Sequence, residues 1–267
     1  MASTPIVTIG LVVLLPATAL AHGEDGHPAD PNLNVDPSVE DCSVRFAPDL
    51  TQAAFHRFAR EFGSVGAFKQ ASPSTTLGRG RVSLDLEQIY FSVEEKSAAW
   101  NDTFVHPDAY HELGSSKSFP KLRLRVGVTD DLEVGAFYSE NPKANYGWLG
   151  LEVKYGIFQQ SEDMPISLAV RGAYTKTLYV ADMDMHAAGI DVSIGRTFWK
   201  VLTPYLGLGS DAVLARETSD AVALKTEAMV VPHATAGFEV RYWHVAIGAE
   251  AQLSALTSYQ AQVSAVF

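Results

Sequence analysis

From about residue 79 onward, apolar side chains recur at every second position, in one segment of about ten residues after another with turns between them. In KLRLRVGV, Leu122, Leu124, Val126 and Val128 alternate with Lys121, Arg123, Arg125 and Gly127. Successive side chains of a strand point to opposite faces, so each segment predicts a strand with one apolar face. The same reading covers RVSLDLEQIYFSVE, LEVGAFYS, WLGLEVKYGI, ISLAVRGAY, GIDVSIGRTF, YLGLGSDAVL, HATAGFEV, VAIGAEAQL and YQAQVSAVF. That makes ten strands. In the first of them the alternation shifts phase near Glu87 and Gln88; a bulge there keeps it one strand, and otherwise the count becomes eight or twelve.

The connections alternate in length. Short links fall at 130–131, 159–164, 199–203 and 241–244, whereas 96–118, 139–146, 178–187 and 215–228 are longer and polar; the last, near 255–258, is short. An even strand number with short turns at one end and long loops at the other predicts an all-β, transmembrane, antiparallel up-and-down barrel. A soluble barrel or sandwich also alternates, so the faces must decide. Aromatic residues gather at strand ends, as interfacial girdles require: Phe119, Tyr138, Tyr146, Trp148, Phe158, Phe198, Trp199, Tyr205, Tyr242, Trp243 and Tyr259. The polar face carries Arg81, Lys121, Arg123, Arg125, Lys154, Arg171 and Arg241 against Asp85, Glu133, Glu152, Asp191, Asp211, Glu239 and Glu250. Equal numbers of opposite charges can pair across a narrow lumen. The outward positions are nearly free of charge, Arg196 near a strand end being the exception.

The terminal stretch, with Tyr259, Ala261, Val263, Ala265 and Phe267 apolar and polar residues between, fits a strand that must pair at both edges in lipid. On these residues the chain resembles the Gram-negative outer-membrane barrel superfamily. The resemblance covers roughly 79–267, implies that the five act as the signal read by the barrel-assembly machinery, and identifies a class rather than an activity. The course from Phe119-Pro120 through LEVGAFYS, LTPY and TSYQAQVSAVF is similar to a set of proteobacterial barrel proteins, a likeness that supports location only.

The first residues fit that location. An apolar run from Ile6 to Leu15, Pro16 and then Ala19-Leu20-Ala21 predict a signal peptide over 1–21, although no Lys or Arg precedes the run. Beyond it, no apolar stretch is long enough for a membrane helix. Cys42 is the only cysteine, which excludes an intrachain disulfide. With a formal net charge of −11, the exported chain is a poor partner for nucleic acid. Residues 22–48, rich in Asp, Pro and Gly, predict a disordered periplasmic tether. Residues 49–78 predict an amphipathic helix and linker, with Asp49 as cap and Leu50, Ala54, Phe55, Phe58, Ala59, Phe62 and Val65 on one face. Such a face could plug the barrel; a place on the periplasmic membrane surface or against the turns is favoured, because a charged interior would accept three phenylalanines poorly.

Three groups invite a metal reading: His22, Glu24, Asp25 and His27; His106, Asp108, His111 and Glu112; Met183, Asp184, Met185 and His186. None has the spacing of a closed site, and solvated loops are the favoured reading, with no metal and no cofactor. His233, inward beside Glu239 and Arg241, and His244 near a turn are the only openings for a lipid-modifying Ser-His enzyme, and no nucleophile motif accompanies them. Barrels of about ten strands lie near the filled end of the size range. The reading is therefore a narrow or side-chain-filled outer-membrane barrel acting through its extracellular loops as a structural or binding module, with phospholipid and lipopolysaccharide as partners. A small-solute pore and a lipid-modifying enzyme are the alternatives.

Overall fold

A computed structural model describes residues 33–67, 69–110, 113–141 and 143–267. The signal peptide and the first part of the tether lie outside them. In chain order the elements are β1 (Ser43–Val44), α1 (Gln52–Gly66), β2 (Val82–Ser92), α2 (Ala98–Asn101), β3 (Phe104–Val105) and β4 (Ser116–Gly127). There follow β5 (Leu132–Glu140), β6 (Gly147–Phe158), β7 (Ser167–Leu178), β8 (Met183–Gly195), β9 (Leu202–Glu217), β10 (Glu227–Tyr242), β11 (Val245–Leu253) and β12 (Ser258–Val266). Ten strands, the number the periodicity predicts, form one closed antiparallel barrel: β2, then β4 to β12 in sequence, with β12 paired back onto β2 from Val266↔Ser83 to Ser258↔Phe91. Closure leaves no free sheet edge, which a spanning sheet requires.

Strand β2 resolves the apparent phase shift. Its register with β4 runs unbroken from Val82↔Val126 to Ser92↔Ser116, with no bulge. Ser83, Asp85, Glu87, Ile89 and Phe91 all face inward and are buried, while Leu84, Leu86 and Tyr90 face out. The geometry keeps its period; the polarity of the inner face changes. Toward the short turns that face is charged, and toward the long connections it is apolar, with Phe91, Phe119, Phe137, Trp148, Met183, Met185, Val213 and Val231 buried in one cluster.

That apolar half receives α1. The expectation of a helix on the periplasmic membrane surface is not met: Phe55, Phe58 and Phe62 are buried at the barrel end carrying the long connections. Phe62 lies 5.1 Å from Trp148 and 6.2 Å from Tyr146, and Phe58 lies 5.3 Å from Trp100 of α2. The charged interior that seemed to exclude phenylalanine occupies only the other half. Burying each ring contributes roughly 1.5–3 kcal/mol. The helix begins later than Asp49 predicts: Pro48 and Asp49 form a turn, and Thr51 caps the first turn by accepting from the Ala54 N–H at 3.2 Å.

The aromatic rims also differ from the sequence reading. Phe119, Trp148 and Tyr205 point into the barrel and are buried. The exposed rims are Tyr90, Tyr138, Tyr174 and Tyr259 toward the long connections and Phe158, Trp199, Tyr242, Trp243 and Phe267 toward the short turns. Charged outward side chains of the upper strands, Lys176, Asp184 and Arg216, begin beyond Tyr174.

Phe58→Ala should destabilise the α1 docking by about 3–5 kcal/mol. Limited proteolysis should then cut within 43–67, while the barrel keeps its heat-dependent shift in gel mobility.

Candidate functional site

Five basic and five acidic side chains form a lattice of two ion-pair networks on the inner wall of β2 and β4 to β8. Lys121 Nζ lies 2.5 Å from Glu87, and Arg123 contacts both Glu87 (3.3 Å) and Glu152 (Nε to Oε1 3.0 Å). Arg125 pairs with Asp85 at 2.7 Å and Glu133 at 3.4 Å, and Lys154 reaches Glu133 at 3.1 Å. Arg171 joins Glu152 at 3.3 Å to Asp191 at 2.6 Å. All ten side chains are almost wholly buried, so each charge depends on its partners rather than on water. Glu87 is a member that the sequence reading omitted, because it sat at the supposed phase shift.

A segment of the chain runs through this lattice. Between α1 and β2, residues 69–77 descend the lumen in irregular conformation, and irregular backbone at membrane depth must be satisfied by protein. The wall supplies the donors. Arg171 Nη1 donates to the Lys69 carbonyl at 2.8 Å, Arg123 Nη1 to Gln70 at 3.1 Å, and Lys154 Nζ to the carbonyls of Pro73 at 3.3 Å and Thr75 at 3.2 Å. In the other direction, Glu250 accepts the Ala71 N–H and Glu133 the Leu77 N–H, each at 2.9 Å. Gly127 leaves room where the segment exits: a Cβ there would meet the Gly78 carbonyl at 1.9 Å.

Above the lumen, residues 33–67 form a cap stitched to the long connections. Asn145 exchanges hydrogen bonds with the Val44 backbone at 2.7 and 2.8 Å, Asp182 accepts from the Phe46 N–H at 2.7 Å, and the Lys225 N–H donates to Gln52 at 2.8 Å. Trp100 Nε1 donates to Glu61 at 2.6 Å, and β1 pairs with β3. Residues 33–48 of the expected tether are thus part of the fold, with Cys42, Val44 and Phe46 buried. Cys42 Sγ lies 3.2 Å from His106 Nδ1, and burial pushes its thiol up to about 12 from the ordinary 9.0.

Of the sequence-predicted lumen residues, Arg81 is the correction: it precedes β2 and is exposed, because the inward phase of β2 begins at Ser83. Arg241 sits part-exposed at the short-turn mouth, bonded to Glu239 at 2.9 and 3.0 Å. His233 faces inward but not beside Glu239 and Arg241. It lies between Asp191 (Nε2, 2.5 Å) and Asp211 (Nδ1, 3.0 Å) of β8 and β9, because β10 begins earlier than predicted and carries His233 further from the mouth. Asp211, Glu239 and Glu250 are buried on the β9 to β11 wall. Tyr259, Ala261, Val263 and Phe267 face outward on the terminal strand and beyond it, with Ala265 half-buried.

The three metal-inviting groups separate. His22 to His27, His111 and Glu112 lie outside the described residues. Met183 and Met185 are strand residues buried in the apolar cluster, while Asp184 and His186 point the other way and bond to each other at 3.2 Å. Among the described residues no group of three or more His, Cys, Asp or Glu side chains could hold a metal ion.

A closed antiparallel barrel with an apolar outer band, two aromatic rims and a charged, filled interior has the architecture of an integral outer-membrane β-barrel. No family model matches the chain, and no curated protein does. Among solved structures it is similar to Ail, the attachment invasion locus protein of Yersinia pestis, at 13% identity over 71% of this chain and 99% of that one, with a TM-score of 0.32. The KdgM porin aligns at 10% identity over 69% and 99%, TM-score 0.36. An outer membrane channel from Pseudomonas putida F1 aligns at 9% over 75% and 100%, TM-score 0.45. The likeness is one of barrel architecture alone.

Two outcomes follow from this geometry. Arg171→Met leaves Glu152 and Asp191 short of a partner in the interior and should cost about 3–5 kcal/mol, read by urea unfolding from lipid vesicles. Cys42 should resist alkylation at pH 8 until the cap unfolds. The folded cap holds the thiol proton more tightly than the unfolded chain does, so stability from this group is intact below about pH 9 and declines as pH rises toward 12; cap proteolysis against pH measures it.

Proposed function

We propose that this protein is a plugged outer-membrane barrel whose role is carried by its cap, a structural or binding module at the cell exterior, rather than by an open pore. The observation that supports this most directly is the threaded segment. Residues 69–77 occupy the lumen with their carbonyls bound to Arg123, Lys154 and Arg171, so a solute path would require those bonds to break. The cap adds a second closure of packed aromatic rings.

Orientation follows from the connections. In this reading the short turns lie on the periplasmic side and the long connections outside, with the cap and α2 at the exterior. Phospholipid and lipopolysaccharide are then the partners of the outer band, and the terminal strand, with Tyr259, Val263 and Phe267 outward, is what the assembly machinery would read. A lipid-modifying enzyme receives little support from His233, because both its ring nitrogens face carboxylates and neither is turned to a hydroxyl.

Refolded full-length protein in planar bilayers should show no large, stable conductance steps. Large steps from folded, inserted protein would replace this reading with a small-solute pore.

A further inference from the structure

The wall opposite the arginines is built differently. Gly248 of β11 is paired with Glu239 of β10 on one side and Gln262 of β12 on the other. The next inward residue on its own strand is Glu250, paired with Gln260. A Cβ at Gly248 would meet the Gln262 amide at 2.9 Å, so that side chain lies over the glycine, on the floor between the two glutamates.

Three of these four side chains use one atom to fix their position and keep another in reserve. Glu239 Oε1 takes the Arg241 guanidinium at 2.9 and 3.0 Å. Glu250 Oε2 takes the Ala71 N–H at 2.9 Å and the Tyr205 hydroxyl at 3.0 Å. Gln260 Nε2 donates to Glu87 at 2.8 Å. The remaining oxygens, Glu239 Oε2, Glu250 Oε1 and Gln260 Oε1, together with Gln262 Oε1, are buried and have no hydrogen-bond partner among the described residues. Each of the four residues is no more than 5% exposed.

The charges point the same way. The five basic residues of the lattice are matched by Asp85, Glu87, Glu133, Glu152 and Asp191. Glu250 forms no ion pair among the described residues, and the nearby cation of the threaded segment, Lys69, donates to the Ser64 carbonyl at 2.5 Å instead. Two buried carboxylate oxygens and two amide oxygens without donors are costly to leave alone. A ligand that satisfies acceptors, supplies positive charge and needs no acceptor in return is a cation.

We propose that the floor around Gly248 binds a hard, oxygen-seeking cation through Glu239, Glu250, Gln260 and Gln262. Two carboxylates and two amide oxygens, with neither imidazole nor thiolate, suit a calcium-like ion that keeps part of its water shell. The site rests on the plugged-lumen reading, because the threaded segment's Ala71 N–H helps to orient Glu250.

The test is terbium luminescence of the folded, full-length protein in detergent or vesicles, with Tyr205 beside Glu250 as the sensitiser and Ca²⁺ as competitor. Saturable emission displaced by Ca²⁺, weakened about tenfold or more in Glu250→Gln and in Gln262→Met, is the expected result. Gln262→Met removes the oxygen while keeping charge and approximate volume, and heat-shifted gel mobility shows that each variant is folded. Absent saturable emission, or equal emission in the wild type and both folded variants, would overturn the site. Large conductance steps accompanied by variant-sensitive terbium binding would uphold the site while overturning the plug.

Discussion

Irregular backbone inside a membrane barrel has no water to fall back on, and everything in this lumen is arranged around nine residues in that position. Residues 69–77 offer carbonyls and N–H groups with no regular ladder to receive them. The wall answers with side chains: Arg123, Arg171 and Lys154 as donors, Glu133 and Glu250 as acceptors. Those wall charges need neutralising in turn, and the strand register brings that about. Arg125 of β4 faces Ser83 across one ladder and Gly135 across the other, which leaves its guanidinium free to span Asp85 and Glu133. Segment and lattice therefore stabilise each other, and neither would be reasonable alone.

The interior is divided along its axis, and the division explains the cap. Where the wall is charged, a thin polar segment fits. Where it is apolar, a helix with three buried phenylalanines fits, roofed by Trp100 and Phe104 from the first long connection. Both halves use the same inward strand positions. One barrel thus contains a salt-bridged lower storey and an oily upper one, with the covalent chain passing from one into the other.

Much of this could be read from the residues alone, and the failures share a cause. Period-two alternation reports polarity differences between faces. In KLRLRVGV the inner face is charged and the outer apolar, so both were legible. In the upper half the inner face is apolar as well, and alternation loses contrast there: Phe119 and Trp148 read as lipid-facing rims when they face the lumen, and β2 read as out of phase at Glu87 when its geometry is regular. The helix itself was legible from Phe55, Phe58 and Phe62, but amphipathicity states that a face is buried and not what buries it. His233 was placed on the correct face yet beside the wrong residues, since its partners lie on β8 and β9 and depend on register. The oxygens around Gly248 had no signal of their own, because their significance lies in which of them find donors.

The threaded segment immediately precedes β2, and β2 is one side of the seam that closes the barrel against β12. The cap sits over the apolar half of the lumen, and the segment passes through the charged layer beneath it. The arrangement is that of a toggle on a cord: the folded cap is held at one end of the passage, and its cord runs on into the wall at the other. Once the seam has closed and the cap has folded, the cord can leave only if the cap unravels or the seam reopens. A closed cylinder therefore keeps its stopper for as long as the cap stays folded, and the stability of the cap sets how long the passage stays filled.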